Sequence, residues 1–407
     1  MAEATAILTF GLLVAWLGNR ERAIFYPLLV AFGARVLASV ANLYVIQFPA
    51  HRWGDATAFE RRAREMANLK WESFVDLLQI GDPYFTYGWI VGLFYRTVGH
   101  AELAAHVLNG FLGTLVVFYI FKTARILWNE STAVWAAWIA AGFPAFLHYH
   151  TVLLREVWIA LGFTLSVYFL AVYFYKRQLF LYATLSIVAM GGATIFHGGM
   201  AAGVAGLLLV FFWRLMQLWK DLIVWKKGVS KAELGNTSLL VVLAAPLLLY
   251  GVMSGVDINK LGDLRRLTSP ETFLTVTAET AQSRHRGGAK YPSALSITGP
   301  TDVIWKTVPR AIYFLFSPFP WDVTKPVHAA ALLDSFIYVT LFYLMVKNWK
   351  NVHRRKALFF IIVAIPIIIA FSFGASNFGT AMRHRAKIAS LIICLVPYFS
   401  GQKSKQL

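Results

Sequence analysis

Long apolar runs divided by short basic turns set the pattern of this chain. The second run, Ala23 to Phe48, extends for about 25 residues and is long enough to cross a bilayer. A shorter apolar stretch, 4–18, precedes it and returns through Gly18-Asn-Arg20-Glu-Arg22. It has no basic residue ahead of it and no small-residue cleavage site before that turn, so it reads as a first span and not as a signal peptide. Spans then recur at 102–122, 131–149, 152–175, 179–197, 199–219, 236–254, 328–346, 357–374 and 385–400.

Two stretches break the rhythm. The first outer loop, 49–100, opens with Pro49-Ala-His51-Arg52-Trp53-Gly54-Asp55. It continues through a polar segment, Arg61 to Asp82, that predicts one or two short juxtamembrane amphipathic helices. It closes on the aromatic run Pro83 to Tyr95, too short to span and suited to the membrane interface. The second, 255–327, is a long loop expected to be soluble and ends in Tyr313-Phe-Leu-Phe-Ser-Pro318-Phe-Pro320-Trp321. No internal repeat or low-complexity tract interrupts the chain. The expectation is a single transmembrane domain over 1–407: an all-α polytopic membrane protein of about eleven helices with outer-face juxtamembrane helices.

Composition agrees. Of 407 residues 58% are hydrophobic and 14% charged, against roughly 25% charged in a soluble domain. The single cysteine, Cys394, excludes an intramolecular disulfide and a cysteine-cluster metal site. A net charge of +18 would suggest nucleic acid for a soluble protein. Here basic loops set topology and meet anionic lipid, so membrane lipids and no nucleic acid are the expected partners.

Charge also orients the layout. Loops 19–22, 122–130, 176–178, 214–235, 347–356 and 401–407, placed on the cytoplasmic side, hold 18 Lys and Arg against four acids. The other side holds 19 against 16, and Arg35 lies within a span. Each short cytoplasmic turn is basic, which puts Asp55 and the 255–327 loop outside.

Candidate chemistry follows from charges where they are expensive. Arg35, midway along the second span, must face the bundle interior or a wet cavity, either as a structural pair or as part of a site. Arg155-Glu156 opens a span on the outer side after His148-Tyr-His150. Neighbouring side chains on a helix diverge, so the two look elsewhere for partners, as an interfacial anchor or as a substrate clamp. Near the last span stands Asn377-Phe-Gly-Thr380-Ala-Met-Arg383-His-Arg385-Ala-Lys387. Its three cations beside a flexible Asn-Phe-Gly suit a phosphate at the membrane surface, or else snorkel to headgroups. Arg284-His-Arg286 in the long loop is a weaker case of the same composition, and His197-Gly-Gly lines the same cavity or forms a tight turn. Asp55, beside His51 and Arg52 where a helix leaves the membrane, is placed to serve as a base or as a solvated loop carboxylate. Trp53, Tyr84, Tyr87, Trp89 and Trp321 suit sugar stacking or an interfacial belt. No zinc motif, phosphate-binding glycine loop, dinucleotide fingerprint or serine-hydrolase elbow occurs.

In order, the chain carries the Arg35 span, Gly54-Asp55, Asp82-Pro-Tyr-Phe-Thr-Tyr-Gly-Trp89 and Glu102-Leu-Ala-Ala-His-Val-Leu-Asn109-Gly. Then come Phe143-Pro144, Leu154-Arg155-Glu156 and the closing Gly379-Thr-Ala-Met-Arg383-His-Arg385. Across residues 25–175 and the last 30 or so, this series resembles the integral-membrane glycosyltransferases of the type C fold. The group in question holds the protein O-mannosyltransferases, the aminoarabinose transferase of lipid A and bacterial polysaccharide-cluster proteins.

The resemblance implies transfer of a sugar from a polyprenyl-phosphate donor to a glycan, lipid or protein acceptor. The implied setting is the outer face of the bacterial inner membrane. It maps the first-loop acid onto Asp55, the polar outer helix start onto Arg155-Glu156 and the terminal basic pair onto Arg383 and Arg385. Together with the charges read above, the expected site has Asp55 as base or acceptor-orienting group, Arg155, Arg383, Arg385 and Lys387 on phosphate, and Glu156, Arg52, His51, Tyr84, Tyr87, His197 and Arg35 in supporting or substrate-binding roles. The family's second acid beside the first is absent here, where Gly54 and Ala56 flank Asp55. No cofactor is required by the resemblance, which leaves room for a divalent cation at the phosphate. The rival functions are a polymerase or ligase moving whole polyprenyl-linked oligosaccharides with arginines alone and, third, a lipid-linked-sugar transporter.

Overall fold

The computed structural model describes residues 1–45, 54–76, 83–176, 179–223, 234–239, 257–258, 262–263, 271–272, 274–275, 277–278, 289–348 and 354–396. In chain order the helices are α1 (Ala2–Arg20), α2 (Phe25–Val40), α3 (Asp55–Ala67), α4 (Trp71–Asp76) and α5 (Pro83–Val98). Next come α6 (Glu102–Leu127), α7 (Glu130–Ala141), α8 (Pro144–Tyr149), α9 (Glu156–Tyr175) and α10 (Phe180–Phe196). The series closes with α11 (Ala201–Ile223), α12 (Pro300–Phe316), α13 (Pro326–Lys347), α14 (Arg354–Gly374), α15 (Phe378–Ala386) and α16 (Ala389–Leu395). A two-residue antiparallel ladder, Asp257–Ile258 with Gly262–Asp263, is the β-structure among the described residues. His51, Arg52, Trp53, Arg284-His-Arg286 and most of the expected span 236–254 lie outside the described residues, as does the side chain of Tyr84.

Five helices are long and apolar enough to cross a membrane among the described residues: Ala2–Arg20, Arg22–Val45, Glu102–Leu127, Glu156–Tyr175 and Gly198–Ile223. Phe180–Phe196 and Leu358–Gly374 are shorter apolar helices. Among the described residues the count of about eleven is not shown, and two expected spans are broken. The one at 131–149 divides into α7 and α8 because Pro144 has no N–H and forces Phe143 into an extended conformation (φ −66°, ψ 117°). The one at 385–400 tightens at its start, where the Lys387 and Ile388 amides bond carbonyls only three residues back, so α15 and α16 are separate helices.

The chain forms two compact units. The first comprises Met1–Tyr168, Gly192–His197 and the C-terminal segment from Ala389. In it α1, α2, α6 and α7 pack together, with α16 against α6 and α7. Glu21, in the α1–α2 turn, is held by Lys122 and Arg125 at the end of α6. The Trp128 indole donates to the Cys394 carbonyl (2.8 Å). The turn 19–22 and the loop 122–130, both assigned to one membrane side by charge, are thus neighbours. Burial raises the Glu21 carboxyl, and hydrogen bonds from Arg125 and Lys122 outweigh it, leaving the group below its ordinary value.

Helix α3 starts at Asp55, earlier than the polar segment suggested, because extended Gly54 caps it and an acid suits a helix N-terminus. Its buried stripe is Ala56, Phe59, Ala63 and Met66. Gly92 of α5 lets the two helices close, since a Cβ there would lie 3.1 Å from the Ala63 carbonyl and 3.2 Å from Met66 Cβ. Arg96 donates to the carbonyls of Ala67 (3.0 Å) and Leu69 (2.6 Å), closing the far end of α3.

The second unit comprises Phe169–Gly191 and Gly198–Ile388. Here α11 crosses α14 at Gly206, where a Cβ would stand 2.9 Å from the Val363 backbone. Helix α12 packs on α13, α14 and α15. The segment 289–291 returns to the start of α15: Tyr291 and Phe378 amides donate to the Ser376 and Ala289 carbonyls, each at 3.0 Å. Asn377 is therefore tied down and caps α15 through Oδ1 (2.8 Å from the Thr380 amide), which corrects the expectation of a loose Asn-Phe-Gly.

Candidate functional site

The head of α9 is built by polar side chains of α6. His106 and Asn109 stand one turn apart in the apolar body of the helix, and both reach the segment 151–154. The Thr151 carbonyl accepts from His106 Nδ1 at 2.6 Å, which fixes the proton on that nitrogen. The same carbonyl accepts from Ser39 Oγ (3.3 Å), and Thr151 Oγ1 accepts from Asn42 (3.3 Å). Asn109 donates to the Val152 carbonyl (2.8 Å) and to the Tyr87 hydroxyl (3.1 Å) and accepts from the Trp158 indole (3.2 Å). These buried bonds fasten the bent segment that leads into Arg155-Glu156, with Glu156 in the first turn of α9, where the helix dipole favours an anion.

Arg155 and Glu156 are 8% and 2% exposed, so this pair is an interior feature and not a surface anchor. The Arg155 guanidinium lies 5.8 Å from the centre of the Phe59 ring. Phe59 meets Tyr87 edge to face at 4.9 Å. Asp55 is exposed and stands one turn before Phe59 on α3, on the same helix face. Phe196 packs on Trp158 (5.6 Å), which brings the buried His197 to the same end of the unit. Phe59 thus joins Tyr87 and Arg155, with Asp55 one turn away on its helix, Glu156 next to Arg155 in the chain and His197 next to Phe196. In chemical type, a carboxylate is capable of accepting a proton and a guanidinium of binding an anion.

Arg35 is elsewhere in the same unit. It is fully buried, with Nη1 donating to the Ala31 carbonyl (2.9 Å) and, at 3.5 Å, to that of Ala141. Gly113 makes room for it, since a Cβ there would fall 2.7 Å from Arg35 Nε and 2.9 Å from His150 Nδ1. Its contacts are with helix backbone, and it stands apart from the Asp55 group.

The basic set of the second unit has a different construction. Arg385 is fully buried. Nε and Nη2 donate to Asp334 Oδ2 (3.1 and 2.7 Å), and Nη1 donates to the carbonyls of Leu315 (3.1 Å) and Ser317 (2.6 Å). Nη2 also reaches Ser335 Oγ (3.2 Å), and the Tyr338 ring lies 4.8 Å below the guanidinium. Every N–H of this arginine is engaged by protein. Lys387 Nζ sits 2.8 Å from His384 Nδ1, and the His384 ring stacks on Phe371 (4.7 Å). Arg383 is half-buried. Lys387 is the C-cap of α15.

Sequence reasoning passed over Asn109, His106, Asp334 and Arg310. The first two carry a legible signal, polar residues at i and i+3 inside an apolar span. Arg310, 1% exposed, donates to the carbonyls of Leu295 (2.7 Å), Ser372 (3.1 Å) and Ala375 (2.8 Å). Its partners are backbone atoms, which no residue pattern announces. Among the described residues no group of three or more His, Cys, Asp or Glu stands where it could hold a metal ion.

No protein-family model matches the chain, and no curated protein matches it. Among solved structures it is similar to the archaeal oligosaccharyltransferase AglB from Archaeoglobus fulgidus, in complex with an inhibitory peptide and a dolichol-phosphate. That likeness has 12% sequence identity and a TM-score of 0.38 and covers 91% of this chain. The chain spans about half the length of the archaeal chain, 50% of which is covered.

Proposed function

We propose that the chain is an inner-membrane glycosyltransferase that takes a sugar from a polyprenyl-phosphate donor and delivers it on the outer face to a glycan, lipid or protein acceptor. The observation that carries this reading is the head of α9. Arg155 lies on Phe59, and Asp55 stands one turn along the same helix in an exposed position. In this reading Asp55 takes the proton of the acceptor hydroxyl as its oxygen attacks the sugar's anomeric carbon. The bond from that carbon to the phosphate oxygen breaks, and Arg155 neutralises the charge that develops on the phosphate. Glu156 is a supporting group at the start of α9, Tyr87 supports Phe59 from α5, and His197 is a further substrate-binding candidate. Arg383 and Lys387 are phosphate candidates of their own unit, and Arg385 is assigned a positioning role because its donors are engaged.

The test uses purified protein in lipid vesicles, supplied with polyprenyl-phosphate sugars extracted from its own cells. Turnover in the wild type is read as released polyprenyl phosphate and as glycosylated product. Loss of turnover in Asp55→Asn with donor binding retained supports the assignment. Equal turnover in both proteins removes Asp55 from the chemistry and favours a polymerase or ligase that works with arginines alone.

A further inference from the structure

Helix α12 belongs to the stretch expected to be a soluble loop, yet its polarity is reversed. Asp302, Lys306 and Arg310 recur every four residues and share one side of the helix. That side meets protein: Arg310 is buried, Lys306 and Asp302 are half-buried, and Val303, Phe314 and Leu315 are buried on the same helix. Lys306 pairs with Asp302 (3.1 Å) and donates to the Ser296 carbonyl (2.7 Å), and Arg310 is caged by the three carbonyls named above. The outward side is Ile304, Trp305, Val308 and Ile312, exposed by 61%, 80%, 66% and 46%. A water-facing helix would show the opposite arrangement, with its charges outward and its aliphatic stripe within. A contiguous apolar face containing an almost bare tryptophan is not left to solvent.

The neighbouring helix supplies the identity of what covers it. On α13, which packs against α12, Leu333, Phe336 and Tyr343 point outward at 57%, 54% and 60% exposure, while Asp334 and Ser335 are buried. Both helices therefore carry polar groups inward and large apolar groups outward, the pattern of a surface in hydrocarbon. Trp321, between them and 70% exposed, is the kind of residue that marks a membrane–water boundary. With 17 residues and two strongly unlike faces, α12 has the form of a helix lying in the interface.

We infer that α12 is a membrane-interface helix, its face of Ile304, Trp305, Val308 and Ile312 covered by lipid acyl chains. The 255–327 stretch therefore ends on the bilayer and not in water.

The test is independent of turnover. Ile304→Cys, Val308→Cys and Ile312→Cys are each spin-labelled in the full-length protein, reconstituted in phosphatidylethanolamine–phosphatidylglycerol vesicles. Buried Cys394 in the otherwise wild-type chain gives the background. The expected result is strong relaxation of all three labels by oxygen and little by a water-soluble nickel chelate. Relaxation by the chelate would place the face in water and overturn the inference. Protection from both agents would mean a protein cover, such as a second copy, and would overturn it equally. If a labelled variant is not monodisperse, bromolipid quenching compared between wild type and Trp305→Phe answers the same question. Loss of a quenchable emission component in Trp305→Phe supports lipid contact, and unchanged quenching refutes it.

Discussion

Replacing Asp334 by Asn strands a guanidinium in the protein interior, and the structure allows the penalty to be worked out. Arg385 is 0% and Asp334 1% exposed, and Oδ2 of Asp334 accepts from both Nε and Nη2. Asn keeps the volume and one acceptor but removes the charge, while the remaining partners of Arg385 are two carbonyls, a hydroxyl and a ring. Breaking a buried ion pair from one side costs about 3–5 kcal/mol, most of it the stranded charge. At about 2–4 °C per kcal/mol for a body of roughly 200 residues, the apparent melting point should fall by on the order of 10 °C. The assay is intrinsic-fluorescence melting in detergent, with size-exclusion chromatography to confirm a monodisperse start. The reasoning also requires that Asp334→Leu combined with Arg385→Met recover most of the loss, because a matched apolar pair needs no charge balance. A single variant within about 1 kcal/mol of wild type, or a double variant no better than the single, would refute the account of Arg385 as a paired positioning residue.

The remaining expectations concern the first unit. Asp55→Asn should lower transfer by about 10²–10⁴-fold with donor affinity unchanged, measured as polyprenyl-phosphate release beside equilibrium binding of labelled donor. Asn109→Ala should cost about 1–3 kcal/mol for each buried group it leaves unmet, the Val152 carbonyl and the Trp158 indole among them. It should also raise the KM for donor more than it lowers kcat, since Arg155 loses its support. Glu21 gives a pH prediction. Its folded carboxyl titrates below the ordinary 4.5, so its stabilisation is complete above that value and is lost as pH falls through the lower folded value. The stability gap between wild type and Glu21→Gln should thus hold at neutral pH and close in acid, as followed by melting across a pH series.

Much of the helical layout is legible because apolar length is a one-dimensional property. Ala2–Arg20, Glu102–Leu127 and Glu156–Tyr175 follow from runs that no other element can use. The misses come from local terms that hydropathy averages away. Pro144 divides an apolar run without changing its hydrophobicity, and a tightened turn at Lys387 does the same near the last one. α12 escaped for a different reason. Its charges at 302, 306 and 310 lower its mean hydropathy, and only contacts reveal that protein groups meet them. At the candidate site, Asp55 and Arg155-Glu156 drew notice as charges at span ends. Phe59 is an ordinary aromatic in sequence and gains meaning from its place between Arg155 and Tyr87, one turn from Asp55.

Three fully buried arginines explain why phosphate ligands are hard to name from composition alone. Arg35 donates to helix backbone, Arg310 to carbonyls at the turns around Leu295 and Ala375, and Arg385 to a carboxylate and two carbonyls. Each stands where a cation is costly, and for Arg310 and Arg385 the charge is offset by acceptors from separate segments of the chain. An arginine of that kind organises backbone: five donors in a rigid fork can fasten turns that share no regular hydrogen-bond ladder. A phosphate-binding arginine uses the same fork on a ligand, so the two classes share one sequence signature. Position separates them. Arg385 is enclosed by Leu315, Ser317, Asp334 and Ser335. Arg155 lies against the Phe59 ring of the helix that carries an exposed Asp55, and the proposed chemistry is placed there for that reason.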